Sequence, residues 1–146
     1  MKLLKFTFLL LAGIFAFTTC SSVNRNNSEN TALHRKWMLV EYKDFTKDEL
    51  TKLNAYIDLT KNPGNKNQYG AKMGCNGMFF SAEFKNDGSA KFSQVGSTMM
   101  YCDGRMDVEN AFGKDLPSIN HYTIDGQFLT LSNGDLQMKF VAEDWD

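Results

Sequence analysis

Three dipeptides in the second half of the chain, Asp87-Gly88, Asp125-Gly126 and Asn133-Gly134, constrain its fold more than any other feature. Asp-Gly and Asn-Gly supply the positive φ that two-residue β-hairpins demand, and alternating apolar residues flank each pair. Met78, Phe80, Ala82 and Phe84 fall on one face of a strand, with Gly77, Phe79, Ser81 and Glu83 on the other. Leu136, Met138 and Phe140 alternate with Asp135, Gln137 and Lys139. Leu129 with Leu131, Tyr122 with Ile124, and Ala55, Ile57 and Leu59 upstream repeat the pattern. A period of two with one apolar face describes a half-buried antiparallel sheet. Trp37-Met38-Leu39-Val40 is apolar on both faces, so its strand belongs at the sheet's centre or at a barrel corner.

Two segments carry a helical period instead. From Asp107 to Leu116, residues Val108, Ala111, Phe112 and Leu116 share one stripe, and Pro117 stops the helix. Lys47 to Asn54 is a shorter candidate with Leu50 and Leu53 inward, and Lys61 to Gly70 reads as a polar loop. A chain of 146 residues holds one domain. The expected class is α+β, about seven mostly antiparallel strands with one main helix.

The amino end has a different character. Lys2 and Lys5 precede an uncharged run from Phe6 to Phe17, too short to span a bilayer comfortably as a mature helix. A basic n-region before a short apolar run is the pattern of a secretory signal peptide, expected over residues 1–19. The run ends Thr18-Thr19-Cys20, which resembles a bacterial lipobox, whose cysteine is acylated and becomes the new amino terminus. Phe17 and Thr19 depart from the commonest residues of that motif. Lipid on Cys20 would make the membrane a partner, at roughly 0.8 kcal/mol per buried CH₂. Residues 20–32 then form a tether, with Ser21 to Asn30 mostly Ser and Asn. Ser21 rather than Asp follows the cysteine, so the expected location is the outer membrane, facing the periplasm.

An exported chain meets an oxidising compartment, where Cys75 and Cys102 are left as an even pair. One disulfide and two buried thiols both fit that count. Neither cysteine stands in a CxxC or beside an activating His or Lys, so redox catalysis is not expected.

Around these cysteines the sequence resembles the META domain family, also called HslJ-like. Met73-Gly74-Cys75-Asn76-Gly77, followed by an alternating strand and an Asp-Gly turn, is similar to its GCN motif. Ser97-Thr98-Met99-Met100-Tyr101-Cys102, followed by a helix with Glu109 and Phe112, is similar to its second signature. Trp37-x-Leu39 and Tyr122-x-Ile124-Asp125-Gly126-x-x-Leu129-Thr130-Leu131 match its opening and closing strands, so the likeness runs from Leu33 to Ala142 within a domain of residues 33–146. The resemblance implies a disulfide between Cys75 and Cys102 and a cracked, partly open β-barrel, and it marks Gly74, Asn76, Ser97, Thr98 and Met100 as residues of the family motifs. Family members are linked to stress response, antibiotic tolerance, motility or virulence, without an established activity.

For catalysis one looks for a nucleophile beside a base or carboxylates paired in a cleft. His34 lies at the tether's end and His121 begins a strand, and Asp87, Asp125 and Asp135 sit at turns, where they bond the local backbone. Gly74 and Gly77 are expected to permit a bulge or a close backbone approach. No enzyme, cofactor or catalytic residue is expected. The formal net charge of −1 gives nucleic acid nothing to bind. Met73, Met78, Met99, Met100 and Met106 beside the two cysteines form a sulfur-rich run of the kind soft Cu(I) selects, although methionine also fills core gaps. The expected function is a non-enzymatic envelope lipoprotein that binds an unknown envelope protein. The alternative is a carrier of an apolar ligand lined by Phe80, Phe84, Phe92, Leu129, Leu131 and Phe140, and copper binding comes third.

Overall fold

A computed structural model of the chain describes residues 31–144. The expected signal peptide, Cys20 and nearly all of the tether lie outside these residues. Nine strands and two helices follow in the order β1 (Lys36–Tyr42), α1 (Lys47–Lys52), β2 (Tyr56–Asp58), β3 (Gln68–Lys72), β4 (Gly77–Phe84), β5 (Ala90–Phe92), β6 (Gly96–Ser97), α2 (Asp107–Asp115), β7 (His121–Asp125), β8 (Phe128–Asn133) and β9 (Leu136–Ala142). Eight strands pair antiparallel in the spatial order β5-β4-β3-β2-β1-β9-β8-β7, and β6 pairs with the start of β4. The two ends of this row are stitched at one point. Ala90 N–H donates to Asn120 O at 3.0 Å, and Tyr122 N–H donates to Gly88 O at 2.8 Å. The sheet is a barrel with one unsealed seam, the α+β class and cracked form expected.

The strand periodicity carries through to burial. In β4, Met78, Phe80 and Ala82 are buried, whereas Gly77, Phe79, Ser81 and Glu83 are exposed. β1 is central, between β2 and β9, with a bulge between Leu39 and Glu41; Trp37 and Leu39 are buried, and Met38 and Val40 on the other face are half-buried. Trp37 is buried, and its indole N–H donates to Leu33 O at 2.9 Å, tying the entering chain to the first strand.

The hairpins form with turn geometry different from that expected. Asp125 pairs with Phe128 and Asn133 with Leu136, so the central turn residues are Gly126-Gln127 and Gly134-Asp135. Each glycine has positive φ, +56° and +75°, at the first central position, as a type II′ turn needs. Asp87-Gly88 lies inside a five-residue loop between Phe84 and Ala90, not in a two-residue turn. There Asp87 accepts from the N–H and hydroxyl of Ser89 at 2.9 and 2.6 Å. Two further expectations need correction. The polar loop ends at Asn67, because Gln68 to Gly70 enter β3, and nine strands form among the described residues, not about seven.

α1 starts on a capping box: Glu49 N–H donates to the Thr46 hydroxyl, and Thr46 N–H returns a bond to the Glu49 carboxylate at 2.7 Å. Asn54, at φ +50°, ends it in the left-handed region. α2 closes the barrel end formed by the start of β4 and the end of β1. Phe112 and Leu116 are fully buried in the core, and Pro117 turns the chain into a short 3₁₀ segment over Leu116–Ser118. At the carboxyl end of α2, Tyr42 O–H donates to Asp115 Oδ2 at 2.7 Å and Lys43 Nζ pairs with the same oxygen. Burial works to raise the Asp115 pKa, but the Lys43 and Tyr42 partners together hold the carboxyl below its usual range. Burial, then the bond to Asp115, pushes the Tyr42 hydroxyl far above its ordinary value.

Candidate functional site

Where β3 turns into β4, the two motif segments meet. Asn76 is 1% exposed, and every polar atom of its side chain is used. Its Nδ2 donates to Glu109 Oε1 at 2.7 Å and to Met100 O at 3.0 Å. Its Oδ1 accepts from the Thr98 hydroxyl at 2.8 Å and from Met100 N–H at 2.7 Å. Asn76 N–H donates to Glu109 Oε2 at 2.7 Å. An amide has two donors and an acceptor oxygen with two lone pairs, so this corner suits Asn and no other side chain of its size. Glu109 is 4% exposed at the third position of α2, where the first turn's N–H groups and the helix dipole favour a carboxylate.

The Cys75–Cys102 disulfide fastens the same two segments, with Cα atoms 5.9 Å apart. Its loop of 27 residues corresponds to about 3.5 kcal/mol in the chain-entropy model. Gly74 has φ +134°, and a Cβ there would lie 2.8 Å from Arg105 O. That is the close backbone approach expected of it. Gly77 needs correction, since it has neither positive φ nor a neighbour within 4 Å of a Cβ. Ser97 contributes through β6, paired with Met78. The structure thus brings Gly74, Cys75, Asn76, Ser97, Thr98, Met100 and Cys102 into one corner.

What this corner holds up is a short apolar loop. Among the described residues, the large apolar side chains left exposed are Phe79 at 52%, Met99 at 98%, Met100 at 59% and Tyr101 at 83%. Phe79 belongs to them by geometry: it is the cross-strand partner of Gly96, where a Cβ would collide with its ring at 2.3 Å. Glycine at 96 lets that ring lie on the backbone beside the loop. Burying such side chains is worth roughly 1.5–3 kcal/mol each. Here the chain uses a disulfide and a satisfied polar network to keep them in water. Neither Phe79 nor Tyr101 stood out as a site residue in the sequence, although Phe79 is the one aromatic on the polar face of its strand.

The other sequence candidates are dispersed. His34 Nδ1 faces Leu59 O at 3.1 Å, so that nitrogen donates, and His121 is exposed at the start of β7. The sulfur-rich run divides into a disulfide, the buried Met73 and Met78, the half-buried Met106, and the exposed Met99 and Met100. The six residues proposed to line an apolar interior pack on one another. Phe80 and Phe84 each meet Phe92, with ring centroids 5.9 and 5.6 Å apart, and Leu129, Leu131 and Phe140 are fully buried.

Comparison with known proteins agrees with the geometry. The family model described as META domain matches residues 30–145. A solved structure from Burkholderia xenovorans is similar at 18% identity and TM-score 0.61, covering 77% of this chain and 83% of its own. A DUF4847 family protein from Bacteroides vulgatus is similar at 12% identity and TM-score 0.51, covering 80% of this chain and 97% of its own. At these identities the likeness is one of fold. No curated relative matches the chain.

Proposed function

The chain belongs to the META domain family, and from that premise we propose that it is a non-enzymatic binding module of the bacterial envelope whose contact surface is the apolar tip. The observation that carries this reading is the display of Met99, Met100, Tyr101 and Phe79 by a corner whose polar groups are spent on holding the loop. Apolar side chains that gather in water beside a rigid support mark interaction sites, and aromatic residues and Met are enriched at interface cores.

The domain's polarity supports the same reading. Leu33 and His34, near the start of the described residues, line a groove beside Lys85, Asn86 and Asp87 past the end of β4. The tip is bonded to the start of β4, through Thr98 N–H to Gly77 O. Eight residues of strand separate the two by roughly 25 Å. A lipid on Cys20, joined through the tether, would therefore enter the domain at the end opposite the tip. Cys20→Ala should move the protein from the membrane fraction to the soluble envelope fraction. A mutant that still pellets, together with intact protein lacking acyl mass, contradicts the anchor.

A photo-crosslinking residue at position 99 tests the contact surface in cells. A discrete adduct is expected there, absent when the probe sits at exposed Gln137, and reduced about tenfold or more by Tyr101→Ser, as for an interface hot spot. Equal labelling from both positions would count against the tip as the binding surface.

A further inference from the structure

The methionines of this chain divide by their access to water. Among the described residues, Met73, Met78 and Met138 are buried in the core, and Met38 and Met106 are half-buried. Met99 and Met100 alone stand exposed, side by side at the tip. A thioether in water is open to attack by a peroxide, whereas one packed in a core is reached only when the structure opens. The thiols that would compete for oxidant at this corner are already spent, because Cys75 and Cys102 are joined.

The way the loop is held decides what oxidation does there. Met100 N–H donates to Asn76 Oδ1 at 2.7 Å, and Met100 O accepts from Asn76 Nδ2 at 3.0 Å. Thr98 N–H donates to Gly77 O at 3.0 Å, and the Thr98 hydroxyl donates to Asn76 Oδ1 at 2.8 Å. These ties run through main-chain atoms, the Asn76 and Thr98 side chains and the disulfide. Oxygen added to either tip thioether therefore changes the polarity of the surface and leaves its support in place. At Met73 or Met138 the same change would disrupt packing.

We propose that Met99 and Met100 are an oxidation-sensitive modification site, at which hydrogen peroxide forms sulfoxides that switch off the tip's contact without unfolding the domain. The inference rests on the tip being the contact surface. In the step, a sulfur lone pair attacks one peroxide oxygen, and an S–O bond forms as the O–O bond breaks. Sulfur gives up a pair of electrons, and the departing oxygen takes the remaining proton and leaves as water. The sulfoxide oxygen is a polar acceptor, and an apolar contact that buries it supplies no donor. Sulfoxide reductases restore the thioether, so the change is reversible.

The test uses the exported chain carrying Cys20→Ala and a photo-crosslinking residue at exposed position 103. Purified protein is treated with dilute hydrogen peroxide, and catalase then removes the excess, so that the partner never meets oxidant. Peptide mass mapping should find oxygen added at Met99 and Met100 about tenfold or more faster than at Met73, Met78 or Met138. The species oxidised only at Met99 and Met100 should keep slow amide exchange at Leu131 and Met100. Irradiated in envelope extract, untreated protein should give a discrete adduct. That adduct should fall about tenfold or more in the oxidised species, and treatment with a methionine sulfoxide reductase should restore it. No adduct from untreated protein would remove the tip's binding role, and this inference with it. With that adduct present, its persistence after oxidation, a loss that the reductase does not reverse, equal oxidation of the buried methionines, or unfolding of the oxidised species would overturn this inference alone.

Discussion

Phe112→Ala should destabilise the domain by about 3–5 kcal/mol, the range for truncating a buried aromatic. Phe112 is 0% exposed, and it anchors α2 in the same core as Phe80, Leu129 and Leu131. α2 has nine residues, a length at which an isolated helix is marginal in water. Its place across the barrel end therefore comes from packing. Losing the ring leaves a cavity that the paired strands around it cannot collapse to fill. Urea denaturation should show the midpoint falling by on the order of 2 M. Asn110→Ala, on the exposed face of the same helix, should stay within about 0.5 kcal/mol. Equal, small effects at both positions would mean that α2 lies on the surface.

Glu109→Gln should cost roughly 2–3 kcal/mol although it barely changes shape. Both Glu109 oxygens face donors, the Asn76 N–H and the Asn76 Nδ2–H, each at 2.7 Å. A glutamine must turn its own NH₂ toward one of them, leaving a buried donor opposed to a donor. The substitution also weakens the favourable charge at the start of α2. Thermal or urea unfolding of the variant measures the loss. A change below about 0.5 kcal/mol, the usual scale of a surface substitution, would show that the carboxylate is not what the corner requires.

Much of this fold was legible in the residues. The alternation of Met78 to Phe84 and of Leu136 to Phe140, and the helical stripe of Val108, Ala111, Phe112 and Leu116, fell on the inward faces, with Phe84, Ala111 and Leu136 partly buried and the rest buried. The turn types were not legible. Asp-Gly and Asn-Gly suggest both residues at the centre of a turn, whereas cross-strand register places Asp125 and Asn133 as the last strand residues. Register is a long-range property that a dipeptide does not carry. β3 escaped notice because Tyr69 and Ala71 are its only apolar side chains, and the rest of Gln68 to Lys72 continues the polarity of the preceding loop. In the site, the pairing of Cys75 with Cys102 and the place of Asn76 in a motif came through family resemblance. Glu109 as the carboxylate partner did not, because an acid in the first turn of a helix ordinarily faces solvent. The tip was hidden for a related reason: Met99-Met100-Tyr101 reads as core until the chain path shows it pointing outward.

Amide hydrogen exchange at Met100 tests the central claim, that the motif residues form a clamp holding the apolar tip in place. Met100 N–H donates to the buried Asn76 side chain at 2.7 Å and belongs to no strand or helix. In the native protein this amide should exchange far more slowly than an open loop amide, and Asn76→Ala should return it to the open-loop rate while Leu131 in β8 stays protected. A Met100 amide that already exchanges at the open-loop rate in the native protein, or one that keeps its protection in Asn76→Ala, would contradict the clamp.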